Sequence, residues 1–209
     1  MNSKESLDLV VLVPGKDDFE TLDALLSTRT QSLKIKPPRY KILTHPRHDP
    51  GCFHGAQDVL QPLQRSAKHA LVVFDHSGSG QESKTPDVVA HDVKDRLSRS
   101  GWGDRAEVLV LCPELEVWIW SDSPHVEAVL EWENRAQRLR EWLLNRGLWP
   151  REHTKPHDPK RCLEETLRKT GIRRSSAVYR ELAERVGLDN CTDAAFLRLK
   201  EILQAWFSN

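Results

Sequence analysis

The segment Leu7-Asp8-Leu9-Val10-Val11-Leu12-Val13 is an almost continuous apolar run of strand length, ended by Pro14 and Gly15. A strand with one solvated face alternates polar and apolar residues, so an unbroken run marks a central strand buried on both faces. Such a strand needs a parallel sheet with helices on either side of it.

The rest of the first half supplies that sheet. Tyr40–Thr44 is a weaker, more peripheral strand between Pro37-Pro38 and a His/Pro stretch. Ala70–Phe74 runs into Asp75, and Ala106–Leu111 runs into Cys112-Pro113. Between them, Asp17-Asp18 can cap a helix bearing Phe19, Leu22, Leu25 and Leu26, and Val88, Val89, Val93 and Leu97 recur at helical spacing behind Pro86. Ligands of open α/β sheets sit at the carboxyl ends of the strands. That edge should carry Lys16, Asp17, Asp18, Asp75 and Glu114.

Beyond about residue 125 strand signals stop, and helical periodicity runs through Val126–Leu148, Pro159–Thr170, Ser175–Val186 and Ala194–Phe207. Charge divides at the same place. Residues 1–124 hold 15 Lys/Arg and 18 Asp/Glu, residues 125–209 hold 16 and 13, and within 135–185 there are 14 basic residues to 7 acidic ones. The whole chain, with 31 of each sign, is neither a uniformly basic nucleic-acid binder nor an acidic tail. Mean hydropathy is −0.58, and no apolar run nears the ~20 residues of a membrane helix. The N-terminus lacks the pattern of a signal peptide, and the four cysteines are scattered without a C-x-x-C pair. These features lead to the expectation of a cytoplasmic protein with reduced thiols and no membrane partner.

Three segments at strand ends carry chemistry: Val13-Pro14-Gly15-Lys16-Asp17-Asp18, Phe74-Asp75-His76-Ser77-Gly78-Ser79-Gly80 and Cys112-Pro113-Glu114-Leu115-Glu116-Val117-Trp118. Carboxylates at the ends of neighbouring parallel strands converge, and hard oxygen donors suit Mg²⁺ or Mn²⁺. Each segment alone is also an ordinary strand-end turn. Glu114 and Glu116, two apart, point the same way in extended backbone and can bracket one metal, with Trp118 and Trp120 on the same face packing to orient them. A half-exposed strand edge has the same spacing.

In this order the three segments resemble the Toprim-like proteins, the fold shared by topoisomerases, primases and the overcoming-lysogenization-defect nucleases. The likeness is greatest to a branch of short bacterial proteins, including restriction-linked RloB-like ones, in which Pro-x-x-Glu-x-Trp follows the last core strand. Lys155-Pro156, Lys160 and Tyr179-Arg180-Glu181-Leu182-Ala183 resemble that branch's helical tail. The resemblance implies a Toprim-like α/β domain over 1–124, a mostly parallel open sheet flanked by helices, with an α-helical extension over 125–209 packed on it. It further implies a component of restriction- or methylation-associated anti-phage defence, partnered by DNA or RNA and by other defence proteins. Cleavage of phosphodiesters with Mg²⁺ or Mn²⁺ would place Asp75 and Glu114 on metal, Glu116 on metal or as base, and Lys16 on phosphate. Two positions depart from the family: Pro14 stands where a Glu precedes the Gly, and Ser77 stands at the second Asp of Asp-x-Asp. Those departures support an alternative, a catalytically inactive adaptor or nucleotide-sensing subunit.

Other segments are less committed. Gly78–Thr85, GSGQESKT, is one residue from a phosphate-binding loop, with Ser83 in place of the required Gly. A flexible Gly/Ser loop touching phosphate through Ser77, Ser79 or Lys84 is the better expectation. His45, His48, Cys52 and His54 offer zinc-type ligands, but their spacing fits an ordinary solvated loop better. Basic residues from Arg135 to Arg174, with Lys155 and Lys160 among them, can form a phosphate-binding surface, and Trp142 and Trp149 can stack bases or fill core.

Overall fold

A computed structural model describes residues 6–121, 123–187 and 191–208. In chain order its elements are β1 (Leu7–Val13), α1 (Lys16–Thr28), α2 (Thr30–Leu33), β2 (Tyr40–Thr44), α3 (His48–Leu60), β3 (Ala67–Asp75), α4 (Pro86–Leu97), β4 (Ala106–Leu111), α5 (Pro124–Val129), α6 (Leu139–Asn145), α7 (Pro159–Thr170), α8 (Ser176–Arg185) and α9 (Ala194–Phe207). The four strands are all parallel, in the order β2-β1-β3-β4. This is the open α/β sheet flanked by helices that the strand pattern requires.

β1 is central, and Leu9 through Val13 have no exposed surface. Its alternate side chains feed two separate cores, as strand geometry dictates. Leu9, Val11 and Val13 join α1 and the C-terminal helices on one face, while Val10 and Leu12 join α3 and α4 on the other. Each such side chain contributes about 1.5–3 kcal/mol when fully buried, so a continuous apolar run is what a strand between two cores needs.

The topology also fixes where a ligand can sit. From β1 the chain leaves toward β2, and from β3 it leaves toward β4 on the opposite side. The crevice between the carboxyl ends of β1 and β3 is therefore the switch point of the sheet, the usual ligand position in open α/β folds. Among the described residues no helix is long and apolar enough to cross a membrane.

Four expectations need correction. The His/Cys stretch is not a solvated loop, since His48–Leu60 is helical and both His45 and Cys52 are buried. The two glycines that suggest a loop are there because the His45 ring packs against the helix. A Cβ at Gly51 would lie 2.0 Å from His45 Nδ1, and one at Gly55 would lie 3.2 Å from Nε2. Burial lowers the His45 pKa, and its Nδ1 accepts from the Arg47 amide at 3.1 Å, so this ring is a core residue.

Secondly, the periodicity over Val126–Leu148 resolves into α5 and α6, with Glu131 in the left-handed region (φ 52°) between them. Thirdly, Asp17 and Asp18 do not cap α1, because Gly15 occupies the cap and both carboxylates fall in the first turn. Finally, the segment after β4 is not extended through Trp118, because Leu115–Trp118 winds into a 3₁₀ turn.

Candidate metal centre

Asp75 ends β3, in the crevice beside β1. Its backbone N–H donates to Asp49 Oδ1 at 2.9 Å, and its own Oδ1 accepts from the Leu115 amide at 2.8 Å. One residue thus ties the strand to the first turn of α3 and to the 3₁₀ turn after β4. Glu114 precedes that turn in extended conformation and Glu116 lies within it. One carboxylate oxygen each from Asp75, Glu114 and Glu116 lie within 4.8 Å of one another. Ligands opposite each other across Mg²⁺, at about 2.1 Å each, stand about 4.2 Å apart. These three are the residues that could hold a metal ion.

Glu114 and Glu116 are each held from the C-terminal helices. Glu114 Oε1 accepts from the Lys160 amide at 3.0 Å, an orphan N–H in the first turn of α7, where a carboxylate is favoured by the helix dipole. Glu116 Oε1 accepts from the Tyr179 hydroxyl at 2.6 Å, with Arg174 NH2 3.7 Å away. Arg174 also pairs with Asp17 Oδ2 at 3.0 Å. The tryptophans pin the turn: Trp118 Nε1 donates to Asp193 Oδ1, the cap of α9, and Trp120 Nε1 donates to the Pro159 carbonyl at the start of α7.

Burial and mutual repulsion favour the protonated form of these acids. Burial, reinforced by Asp49, Asp17 and Glu116, pushes the Asp18 carboxyl up to about 7. Burial and the neighbouring carboxylates raise Asp75 well above the ordinary range, and burial raises Asp49, Glu114 and Asp17 as well. Asp18 is only 8% exposed, and its Oδ1 is buried without a hydrogen-bond partner. A buried carboxylate oxygen of this kind is costly unless a proton or a cation meets it.

Sequence reasoning missed Asp49. It follows the carboxyl end of β2, at the same edge as the other acids. Attention to that strand end, rather than to the His/Cys pattern around it, is the signal that finds it.

The basic residues divide. Lys16 is exposed at the start of α1, close enough to oppose the charge of Asp17. Lys160 lies close enough to oppose the charge of Asp17, Asp49 and Glu114. Lys155 instead turns inward, its Nζ donating to the Val117 carbonyl at 2.9 Å, and burial lowers its pKa. Lys84 pairs with Asp92 at 2.9 Å.

The glycine loop is held by internal hydrogen bonds. Gly78 and Gly80, both at positive φ, direct their amides to Glu82 Oε1 at 2.8 and 3.3 Å. Ser79 Oγ donates to the His76 carbonyl, and Ser77 is exposed at the turn. Trp149 is buried edge-on against Trp120, and Trp142 packs on Trp132, so both belong to the core.

A parallel sheet in this order with helices on both faces is an α/β fold, consistent with the Toprim-like one. Among solved structures, the C-terminal region of the Xanthomonas campestris pv. campestris OLD protein is similar, with a TM-score of 0.50, 15% identity and 94% of each chain covered. At that identity the likeness is one of fold. No family model and no curated protein matches the chain.

Proposed function

We propose that the pocket at the β1/β3 fork holds Mg²⁺ or Mn²⁺ and that the protein cleaves or processes phosphodiesters of DNA or RNA as part of an anti-phage defence system. The observation that carries this reading is the convergence of Asp75, Glu114 and Glu116 to within 4.8 Å. Asp75 and Glu114 would hold the cation, joined by Glu116 and by the unpartnered oxygen of Asp18. In such a site the metal polarises a phosphoryl oxygen and lowers the pKa of a bound water. Lys16, exposed at the rim, neutralises phosphate, and Lys160 adds positive charge beside the acids. Glu116 Oε1 is already committed to Tyr179, which favours the metal role for Glu116 over that of proton acceptor.

The test is a cleavage assay on supercoiled, linear and single-stranded substrates with Mn²⁺, paired with Mn²⁺ titration of the same protein. Mn²⁺ binding with metal-dependent cleavage supports the proposal, and no binding overturns it. Binding without cleavage on any substrate would favour a second reading, an adaptor or nucleotide-sensing subunit that docks to other defence proteins. One observation supports that alternative: Pro14, where the related enzymes carry Glu, is buried, with its carbonyl 3.1 Å from His48 Nδ1.

Tyr179→Phe probes the link between α8 and the pocket. Groups that orient a metal ligand typically matter by about 10–100-fold in affinity. The variant is expected to bind Mn²⁺ at least about tenfold more weakly. Unchanged affinity would show that Glu116 does not depend on the tyrosine.

A further inference from the structure

Glu152, His153 and His157 lie in the segment between α6 and α7, outside the carboxylate pocket. Nε2 of His153 and Nε2 of His157 are 3.0 Å apart, the ring centroids are 4.1 Å apart, and the rings are inclined at 64°. A Glu152 carboxylate oxygen lies 4.0 Å from His153 Nε2. All three side chains reach solvent: that of His153 is 40% exposed, that of Glu152 is 73% exposed, and His157 is also exposed.

The backbone behind these rings is already ordered. The His153 carbonyl accepts from Trp149 Nε1 at 2.9 Å and from Arg140 NH2 at 3.2 Å. Arg140 also donates to the carbonyls of Trp149 and Pro150. His157 precedes Asp158, whose Oδ1 caps α7 by accepting from the Arg161 amide. Little conformational freedom in the backbone remains to be lost when a ligand is bound.

We infer that His153 and His157, completed by water, form a second metal site, selective for borderline transition-metal dications such as Zn²⁺ or Cu²⁺. Only one proton can lie between two facing imidazole nitrogens, and a metal can replace it. With metal–nitrogen bonds of about 2.05 Å, nitrogens 3.0 Å apart subtend about 94° at the ion, the angle between adjacent ligands in tetragonal coordination. Opening the pair to about 3.3 Å gives the tetrahedral angle of zinc. Imidazole donors select Zn²⁺ and Cu²⁺, whereas the oxygen-only pocket suits Mg²⁺ and Mn²⁺, so the two sites differ in chemistry.

A metal here would clamp residues 153–157. That stretch contains Lys155, bonded to the Val117 carbonyl, and leads into Lys160, whose amide holds Glu114. The site would brace the segment that aims one carboxylate of the pocket, and it stands whether or not the pocket is catalytic.

The experiment uses the full, untagged chain in excess Mg²⁺. Zn²⁺ is titrated calorimetrically, and Cu²⁺ is followed by electron paramagnetic resonance. One ion per chain is expected, with hyperfine coupling to two imidazole nitrogens. His153→Ala and His157→Ala should each weaken binding at least about tenfold, and Asp75→Asn should leave it unchanged. The inference is overturned if the wild-type chain binds neither ion, if coupling to two nitrogens is missing, or if Asp75→Asn removes the ion. Because the coupling is read on the wild-type protein, the test holds even if an alanine variant folds poorly.

Discussion

Asp75→Asn is expected to reduce Mn²⁺ affinity by more than about 100-fold, the upper end of what even outer-shell changes cost at metal sites, and to abolish metal-dependent cleavage. Asn keeps the shape and retains an oxygen to accept from the Leu115 amide, so the link between β3 and the 3₁₀ turn can survive. What disappears is the charge at the one point where α3, β3 and the 3₁₀ turn meet. The substitution should also stabilise the metal-free chain, because Asp75 is buried among Asp18, Asp49, Glu116 and Glu114. Loss of cation binding together with a higher unfolding midpoint in EDTA is therefore the signature. A variant that binds Mn²⁺ like the wild type, with unchanged cleavage, would falsify the metal assignment.

The second large effect is on pH dependence. Asp18 titrates near 7 in the folded chain and near its ordinary 3.8 when unfolded. Above pH 4 the folded protein thus retains a proton that the unfolded chain has released, and raising the pH favours unfolding. The loss develops between about pH 4 and pH 7. Asp75, Asp49, Glu114 and Asp17 shift in the same direction.

Asp8 has the opposite sign, held below the ordinary range by hydrogen bonds from Lys68 and Arg39. It is ionised in both states above pH 5 and adds no slope there. Urea unfolding in EDTA should therefore give a less stable protein at pH 7.5 than at pH 5. Saturating Mn²⁺ should restore much of the difference, since a ligand bound only by the folded state stabilises it. Asp18→Asn should flatten the profile. A flat wild-type profile, or an unchanged slope in Asp18→Asn, would remove the case for a buried charge cluster.

The strands were legible in the sequence because their signal is local. β1 and β4 begin and end where the apolar runs do, whereas β3 starts earlier, at Ala67, where Lys68 and His69 interrupt the apolar pattern, and takes in Asp75 at its end. Features fixed by distant contacts were not legible. The break before α6 is held by Glu127, whose Oε1 accepts from the Leu139 amide and from Arg138 Nε. Apolar spacing carries no trace of that cap.

In α3 the glycines signal a loop locally but a close ring contact in three dimensions. The pocket was half legible. Asp75, Glu114 and Glu116 sit at strand ends, where acids are informative. Asp49 was obscured by its setting, and the support from Lys160 and Tyr179 joins residues 46 and 63 positions apart.

Such distant support has a consequence for an incomplete chain. One apolar cluster runs from Leu9 and Leu25 through Leu115 and Trp120 to Leu163, Tyr179 and Leu203. Arg29, just past α1, donates to the carbonyls of Ala183, Glu184 and Val186 at the end of α8. A polypeptide still emerging from the ribosome, or one nicked by a protease before α7, would possess every acid of the pocket yet lack the amide and the hydroxyl that aim Glu114 and Glu116. Both supports of the acid cluster therefore arrive late in synthesis, after all of its acids are already in place.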